Sequence, residues 1–167
     1  LRGTLKEAWR LGLVDAESYQ RAVDLKNITA EKAQQSEKGR HLSQGELSAL
    51  IDICMDGTKA GARDAAMIAV AYAAGLRRAE IAGLQVADYD ADQCQITIQH
   101  GKRNKQRVIP MNVGACEAVD DWLAVRGPWA GKLFTRIRVG DNLTVVGLTD
   151  QAIYVILHSR AEQAKVK

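Results

Sequence analysis

The spacing of apolar residues predicts a pair of short helices at the start of the chain. Leu5, Ala8 and Trp9 fall on one helical face, and the pattern resumes around Tyr19. Gly12 lies between the two patterns, where a glycine favours a turn. The first segment therefore predicts two helices joined by a glycine turn.

A capping signal marks the start of a second domain. Small, polar and charged residues first interrupt the apolar pattern, a composition typical of a linker. Ser43 and Glu46 then have the spacing of a capping box, in which each side chain bonds the backbone of the other. These signals predict a first domain over 1–28, a linker over 29–40 and a second domain over 41–167.

The second domain has mostly helical patterns and one strand pair. Apolar and polar residues alternate over 93–99, as in a half-buried strand, and residues 108–111 can pair back on it. Pro110 lacks an amide hydrogen, which places the returning strand at a sheet edge. A short apolar stretch stands at 133–134. The helices are expected at about 47–54, 62–74, 77–84, 114–125 and 149–164. The predicted fold class is α+β, mainly α-helical with a small antiparallel β-sheet.

Composition excludes two classes of protein. Hydrophobic residues make up 47% of the sequence and charged residues 26%, which excludes a disordered chain. No apolar run approaches the roughly 20 residues of a membrane-spanning helix, so no membrane partner is expected. The three cysteines, Cys54, Cys94 and Cys116, are too widely spaced for a zinc or CxxC redox motif, and a reducing cytoplasm fits them best. We accordingly expect a cytoplasmic protein without a bound metal.

Charge is distributed unevenly along the chain, although the formal net charge is only +3. Residues 79–100 contain four acidic residues and no lysine or arginine, a net charge of −4. Residues 101–138 contain eight lysines and arginines against three acidic residues, a net charge of +5. Such a basic zone is typical of a surface that binds nucleic acid. A solvated basic surface without a partner is the alternative, and charge alone leaves both open.

Arg77 and Glu80 are the first candidates for chemistry, in the sequence AGLRRAEI. Arg77 follows the turn expected at Gly75 and stands at the start of a helix, where free amides and the helix dipole favour an anion. Its guanidinium can bind a phosphate through two nitrogens, and Glu80 can orient it from one helical step away. The alternative is a surface ion pair between positions i and i+3.

The second candidate is the loop between the two predicted strands. It carries four basic side chains within seven positions, namely Lys102, Arg103, Lys105 and Arg107. A cationic loop at the tip of a strand pair suits DNA phosphates or the minor groove. The alternative is an edge strand that lysine and arginine protect from aggregation.

In this order and at this spacing, the two motifs resemble those of the tyrosine recombinases, the phage-integrase-type site-specific DNA recombinases. That family carries an Ala/Thr-Gly-Leu-Arg-x-x-Glu-Ile/Leu box, which AGLRRAEI matches. It also carries a Gly-Lys-x-x-Lys-x-Arg-x-Val/Ile-Pro hairpin, which GKRNKQRVIP matches. The resemblance implies that residues 41–167 form the N-terminal part of the family's catalytic domain. It further implies that residues 1–28 are the last helices of a DNA-gripping core-binding domain.

The resemblance also implies a role for each candidate residue. Arg77 matches the first catalytic arginine, which neutralises the scissile phosphate, and Glu80 matches the supporting acidic position. Lys102 matches the hairpin lysine that protonates the departing 5′ oxygen, with Lys105 as the fallback for that role. The remaining basic residues of the two motifs match no catalytic position and are expected to contact the DNA backbone: Arg78, Arg103 and Arg107.

The chain departs from the family pattern after these two motifs. It has no His-x-x-Arg box, because His158 and Arg160 are one position too close together, and no later His or Trp of that pattern. Its tyrosines stand in helical or strand-like patterns without the family's nucleophile signature: Tyr19, Tyr72, Tyr89 and Tyr154. We therefore expect a fragment that stops before the second catalytic box and is inactive alone.

The resemblance implies DNA integration or site-specific recombination. Strands would be cleaved and rejoined through a 3′-phosphotyrosyl intermediate, without a cofactor, by the protein that contains this fragment and the missing tyrosine. The expected partners are double-stranded DNA and further copies of the full-length protein in a synaptic tetramer, so the protein would be DNA-associated in the cytoplasm. The alternative is a non-catalytic DNA-binding regulator or remnant on the same scaffold.

Overall fold

The computed structural model describes residues 2–24, 40–99 and 106–166. The chain divides into two compact units, Leu1–His41 and Leu42–Lys167. Most of the predicted linker lies outside the described residues, so the predicted domain boundaries stay a prediction.

The first unit contains the predicted pair of short helices. Helix α1 spans Arg2–Arg10 and α2 spans Ala16–Asp24. Gly12 has a φ of +71° in the turn between them, a backbone angle that glycine adopts without a steric penalty. The rings of Trp9 and Tyr19 stack at 5.1 Å between centroids, which joins the two helices. The helical pair is confirmed, and its assignment to a core-binding domain stays a prediction.

Five α-helices build the second unit, and local signals set where they begin and end. They are α3 Gln44–Asp52, α4 Lys59–Ala74, α5 Arg78–Gly83, α6 Val113–Arg126 and α7 Asp150–Gln163. The capping box is confirmed, because the Ser43 hydroxyl accepts from the Glu46 amide and the Glu46 carboxylate accepts from the Ser43 amide. Gly75 ends α4 in the left-handed conformation, at a φ of +57°.

Two small antiparallel sheets complete the unit. Their strands are β1 Tyr89–Asp90, β2 Gln95–Ile98, β3 Arg107–Pro110, β4 Thr135–Arg138 and β5 Asn142–Gly147. The first sheet has the order β1-β2-β3, with Ile96 opposite Ile109 and Ile98 opposite Arg107. The predicted strand pair is confirmed, and Pro110 lies on an edge strand as expected. The mainly helical α+β fold is confirmed with it.

The hairpin of β4 and β5 was not predicted, and it is fixed to the start of α4. Its turn contains Gly140 and Asp141, which have φ values of +80° and +60°. The Asp141 carboxylate accepts hydrogen bonds from the amides of Lys59 at 3.0 Å and Ala60 at 3.3 Å. Asp141 therefore satisfies amides that the first turn of α4 leaves unpaired.

The core of the second unit lies where α4 and α6 pack against the first sheet and α7. Its largest fully buried side chains include Trp122, Met67, Ile96 and Ile153. The indole of Trp122 donates to the Leu133 carbonyl at 2.8 Å, so its polar atom is satisfied in the interior. This core holds α5 and β3, the two elements that carry the candidate site.

A disulfide bond joins Cys94 and Cys116, a pairing that the sequence interpretation did not anticipate. Cys94 precedes β2 and Cys116 lies in the first half of α6. The two cysteines are therefore close in space although 22 positions separate them in the sequence. The chain returns past Cys94 through Met111, whose amide donates to the Cys94 carbonyl at 2.9 Å. Cys54 is the remaining thiol, and burial raises its pKa to about 11.

We expect reduction of this disulfide to lower the free energy of unfolding by about 3 kcal/mol, because a crosslink over roughly 20 residues restricts the unfolded chain. Urea unfolding with and without a thiol reductant measures the effect. Cys116→Ser is the control, since its stability should not respond to the reductant. Identical unfolding curves of the oxidised and reduced wild-type protein would contradict this prediction.

Candidate functional site

Arg77 lies in the turn between α4 and α5, directly before the first residue of α5. Its backbone is extended, with φ −75° and ψ 151°, and its side chain is 66% exposed. The Arg77 amide donates to Oε2 of Glu80 at 2.8 Å, so this amide is already satisfied within the protein. The anion-binding capacity of Arg77 therefore lies in its guanidinium rather than in its backbone.

Glu80 is the centre of the site, because three donor groups converge on its carboxylate. It accepts from the Arg77 amide, from the Arg77 guanidinium at 3.3 Å and from the Arg107 guanidinium. Its side chain is only 8% exposed. The hydrogen bonds from Arg107 lower the pKa of Glu80 below its ordinary value, against the opposing effect of burial. Glu80 is therefore charged at neutral pH.

Arg107 brings the base of the hairpin to the start of α5. Its Nη1 and Nη2 atoms each donate to one oxygen of Glu80, both at 3.0 Å. The predicted contact of Arg107 with the DNA backbone stays a prediction, and the pair with Glu80 was missed. A signal for it exists in the strand, since alternation places Arg107 on the same, half-buried side as Ile109.

Arg78 points to a different neighbour. Its guanidinium carbon lies 5.1 Å from the centroid of the Tyr154 ring in α7, within cation–π distance. The Tyr154 ring also stacks on His158 at 5.8 Å. The predicted contact of Arg78 with the DNA backbone is not tested by this packing.

The other three basic residues of the predicted loop, Lys102, Arg103 and Lys105, lie outside the described residues. Their expected roles as general acid, DNA contact and fallback acid therefore stay predictions. The structure does define the strands on either side of them, through the pairing of Ile98 with Arg107.

Arg160 has a structural role, in agreement with its unsuitable spacing from His158. Its side chain is 12% exposed, and its Nε donates to Oδ2 of Asp64 at 2.9 Å. Oδ1 of Asp64 accepts two bonds from the buried Arg63, at 2.6 and 2.9 Å. Arg160 thus fixes α7 to α4 through a shared carboxylate.

Tyr89 is also engaged within the protein. Its hydroxyl donates to Oδ1 of Asp120 at 2.9 Å. Burial, together with this carboxylate, raises the pKa of Tyr89 above its ordinary value. Both effects oppose formation of the phenolate that a nucleophile requires.

In the described part of the chain, no helix combines the length and the apolar character needed to cross a membrane. Within the same residues, no three His, Cys, Asp or Glu side chains are grouped as ligands for a metal ion.

Comparison with known families decides what kind of protein carries this site. The model of the phage integrase family matches residues 40–165, which is most of the chain and includes both motifs. The chain belongs to the phage integrase family. The match includes Arg77, Glu80 and Arg107, so the geometry described above lies within the family domain.

Relatives of this integrase-family chain include tyrosine recombinases. It is 38% identical over 96 residues to tyrosine recombinase XerC of Chromohalobacter salexigens, covering 55% of the chain and 31% of that protein. It is 34% identical over 109 residues to XerC of Salmonella typhi, covering 63% of the chain and 34% of that protein. The chain thus spans about a third of the length of these relatives.

Solved structures share the fold. The crystal structure of XerA recombinase matches 77% of the chain and 44% of its own length, with a TM-score of 0.63 and 20% identity. The Tn1549 transposon integrase, in complex with transposon right end DNA, matches 99% of the chain and 72% of its own length, with a TM-score of 0.52 and 14% identity. At these identities the matches support the integrase fold alone.

Proposed function

We propose that the chain is part of a site-specific DNA recombinase that cleaves and rejoins strands through a 3′-phosphotyrosyl link. The observation that carries this proposal is the exposed guanidinium of Arg77, held beside a buried carboxylate at the base of a basic hairpin. The integrase family match and the recombinase relatives support it. We use "complete recombinase" for the longer protein that is proposed to contain residues 1–167, the second catalytic box and the nucleophilic tyrosine.

In this proposal Arg77 neutralises the phosphate that is cleaved. Negative charge builds on the non-bridging oxygens as the phosphorus becomes five-coordinate, and a fixed guanidinium stabilises that charge. The long, weak bond of the Arg77 guanidinium to Glu80 leaves most of its donors open to solvent. Two of them can bind two phosphate oxygens at once.

Lys102 is proposed to donate the proton that the departing 5′ oxygen needs. An alkoxide is a poor leaving group, so a positioned ammonium accelerates its departure. Lys105 is the fallback because it belongs to the same loop. The pair between Arg107 and Glu80 supports this arrangement, since it fixes one strand of the hairpin next to Arg77.

The nucleophilic tyrosine is proposed to lie outside these 167 residues. Two of the described tyrosines are engaged elsewhere, Tyr89 with Asp120 and Tyr154 with Arg78 and His158. The phosphotyrosyl link conserves the energy of the broken bond, so the proposed reaction needs no nucleotide cofactor. The engagement of Tyr89 and Tyr154 within the protein also favours the second candidate function, a non-catalytic DNA-binding protein on this scaffold.

The proposed partner is double-stranded DNA, contacted by Arg78 and Arg103, and the complete recombinase is proposed to assemble as a tetramer on it. The Tn1549 transposon integrase, solved in complex with transposon right end DNA, supports a DNA partner for this fold. The proposed location is the cytoplasm, on DNA; it rests on the recombinase relatives and not on the cysteines, because a disulfide such as Cys94–Cys116 is uncommon in a reducing compartment.

A measurement of duplex binding distinguishes both candidate functions, which require DNA binding, from a protein that does not bind DNA. If the 167-residue chain neutralises three phosphates, its affinity should fall about 40-fold between 50 and 200 mM salt, because counterions are released on binding. Arg103→Gln should reduce the slope against log salt by about one. Fluorescence anisotropy with a labelled duplex measures both. Salt-independent binding, or equal affinity for free nucleotides, would contradict the proposal.

A further inference from the structure

The pair between Arg107 and Glu80 differs from an ordinary surface ion pair. Both oxygens of Glu80 are bound, each by a separate nitrogen of Arg107. The Arg107 side chain is 35% exposed and the Glu80 side chain 8%. By contrast, Arg21 and Glu17 in α2 form a single contact between side chains that are mostly exposed. Only the first kind of pair is strong enough to fix two elements together.

A buried carboxylate needs a cation, and Glu80 has two arginines within reach. If Arg107 did not fill this role, the Arg77 guanidinium would be drawn into a full two-point pair with Glu80, since an unpaired charge in this position is costly. The donors of the Arg77 guanidinium that face solvent would then form hydrogen bonds with Glu80. The Arg107 pair explains why Arg77 makes only one side-chain contact with Glu80, at 3.3 Å, and remains exposed.

We propose that Arg107 is a positioning residue for phosphate binding: it saturates Glu80 and thereby keeps the Arg77 guanidinium turned outward. This role differs from the DNA contact expected from the charge of Arg107, because its two terminal nitrogens bind Glu80. The effect of Arg107 on catalysis rests on the proposed function of Arg77. The coupling of the three side chains does not depend on that proposed function.

The coupling is tested by NMR on the 167-residue chain with Arg107→Gln and Arg107→Lys. In Arg107→Gln, the Glu80 carboxyl should titrate at higher pH than in the wild type. The guanidinium hydrogens of Arg77 should exchange more slowly, because Arg77 now pairs with Glu80. Arg107→Lys should fall between the two, since an ammonium restores the charge but not the two-point geometry. Unchanged titration of Glu80 and unchanged exchange at Arg77 would overturn the proposal.

The consequence for catalysis is tested by single-turnover cleavage with the complete recombinase. Arg107→Gln should slow cleavage by about 10- to 10²-fold, as misplaced catalytic groups do, while the duplex dissociation constant changes less than about twofold. Lys59→Gln is the charge-matched control, because Lys59 starts α4 and Arg77 follows its other end, about 24 Å away along a helix of 16 residues. It should leave the cleavage rate unchanged.

The outcomes separate the two proposals. If Arg107→Gln weakens duplex binding as much as it slows cleavage, Arg107 is a DNA contact and the positioning role is wrong. If the wild-type complete recombinase does not cleave DNA, the proposed function is wrong, and the NMR experiment alone decides whether Arg107 controls the orientation of Arg77.

Discussion

Replacing Arg77 by alanine in the complete recombinase is expected to slow DNA cleavage by about 10²–10³-fold, because the variant lacks a fixed donor to the charge that develops on the phosphate. The side chain is exposed and makes one weak contact with Glu80, so the fold should tolerate its removal. Duplex affinity should change little, since other cations are also proposed to contact the DNA. Single-turnover cleavage and duplex binding measure the two quantities.

A modified substrate distinguishes Arg77 from the proposed general acid. Lys102→Ala should slow cleavage by about 10²–10⁴-fold on ordinary DNA. A bridging 5′-phosphorothiolate should restore its rate, because a thiolate leaves without being protonated. The same substrate should not rescue Arg77→Ala, whose defect is in charge neutralisation.

Lys105→Ala serves as the comparison within the loop, since only the true proton donor is rescued. If the phosphorothiolate restores neither lysine variant, the hairpin contacts DNA without donating the proton, and the assignment of Lys102 is wrong. Rescue of Arg77→Ala would contradict the role of Arg77.

The second large effect is expected at Asp64, where alanine should lower the free energy of unfolding by about 3–5 kcal/mol. Its carboxylate is buried and accepts hydrogen bonds from Arg63 and Arg160. The substitution would remove the counterion of the buried Arg63 guanidinium and leave Arg160 with Asp56, at 3.3 Å, as its remaining ion-pair partner. Urea unfolding measures the change. Asp52→Ala, at an exposed carboxylate in α3, is the matched control and should change stability by less than about 0.5 kcal/mol. Equal stability of the two variants would contradict the role given to Asp64.

The helices were predictable because their signals are local. The capping box at Ser43 and the left-handed Gly75 each act within one turn of a helix, and both occur in the structure as expected. The alternation around Ile96 likewise needs only a few residues to show which side of the strand is buried.

The hairpin of β4 and β5 and the disulfide depend on contacts that no short segment contains. Thr135–Arg138 alternates over only four residues, and its partner strand follows a turn that requires a positive φ at Asp141. Cys94 meets Cys116 only after β3 has returned along β2. Sequence spacing alone does not specify either pairing.

In the candidate site, too, the local interaction was predictable from the sequence and the contact between distant segments was not. Arg77 and Glu80 were identified because they stand three residues apart in one motif, and their interaction is local. The partner of Glu80 comes from 27 residues further along the chain, and the positive charge of Arg107 favoured a DNA contact instead. Strand alternation, which turns Arg107 to the same side as Ile109, is the physical signal that indicates this pair.

Trapping a covalent protein–DNA adduct on a nicked suicide duplex tests the central claim most directly. The complete recombinase should form a 3′-phosphotyrosyl adduct that mass spectrometry maps to a tyrosine outside residues 1–167, and the 167-residue chain alone should bind the duplex without forming one. An adduct on Tyr154, or on any other tyrosine of the 167-residue chain, would contradict the claim, as would a complete recombinase that binds the duplex and forms no adduct.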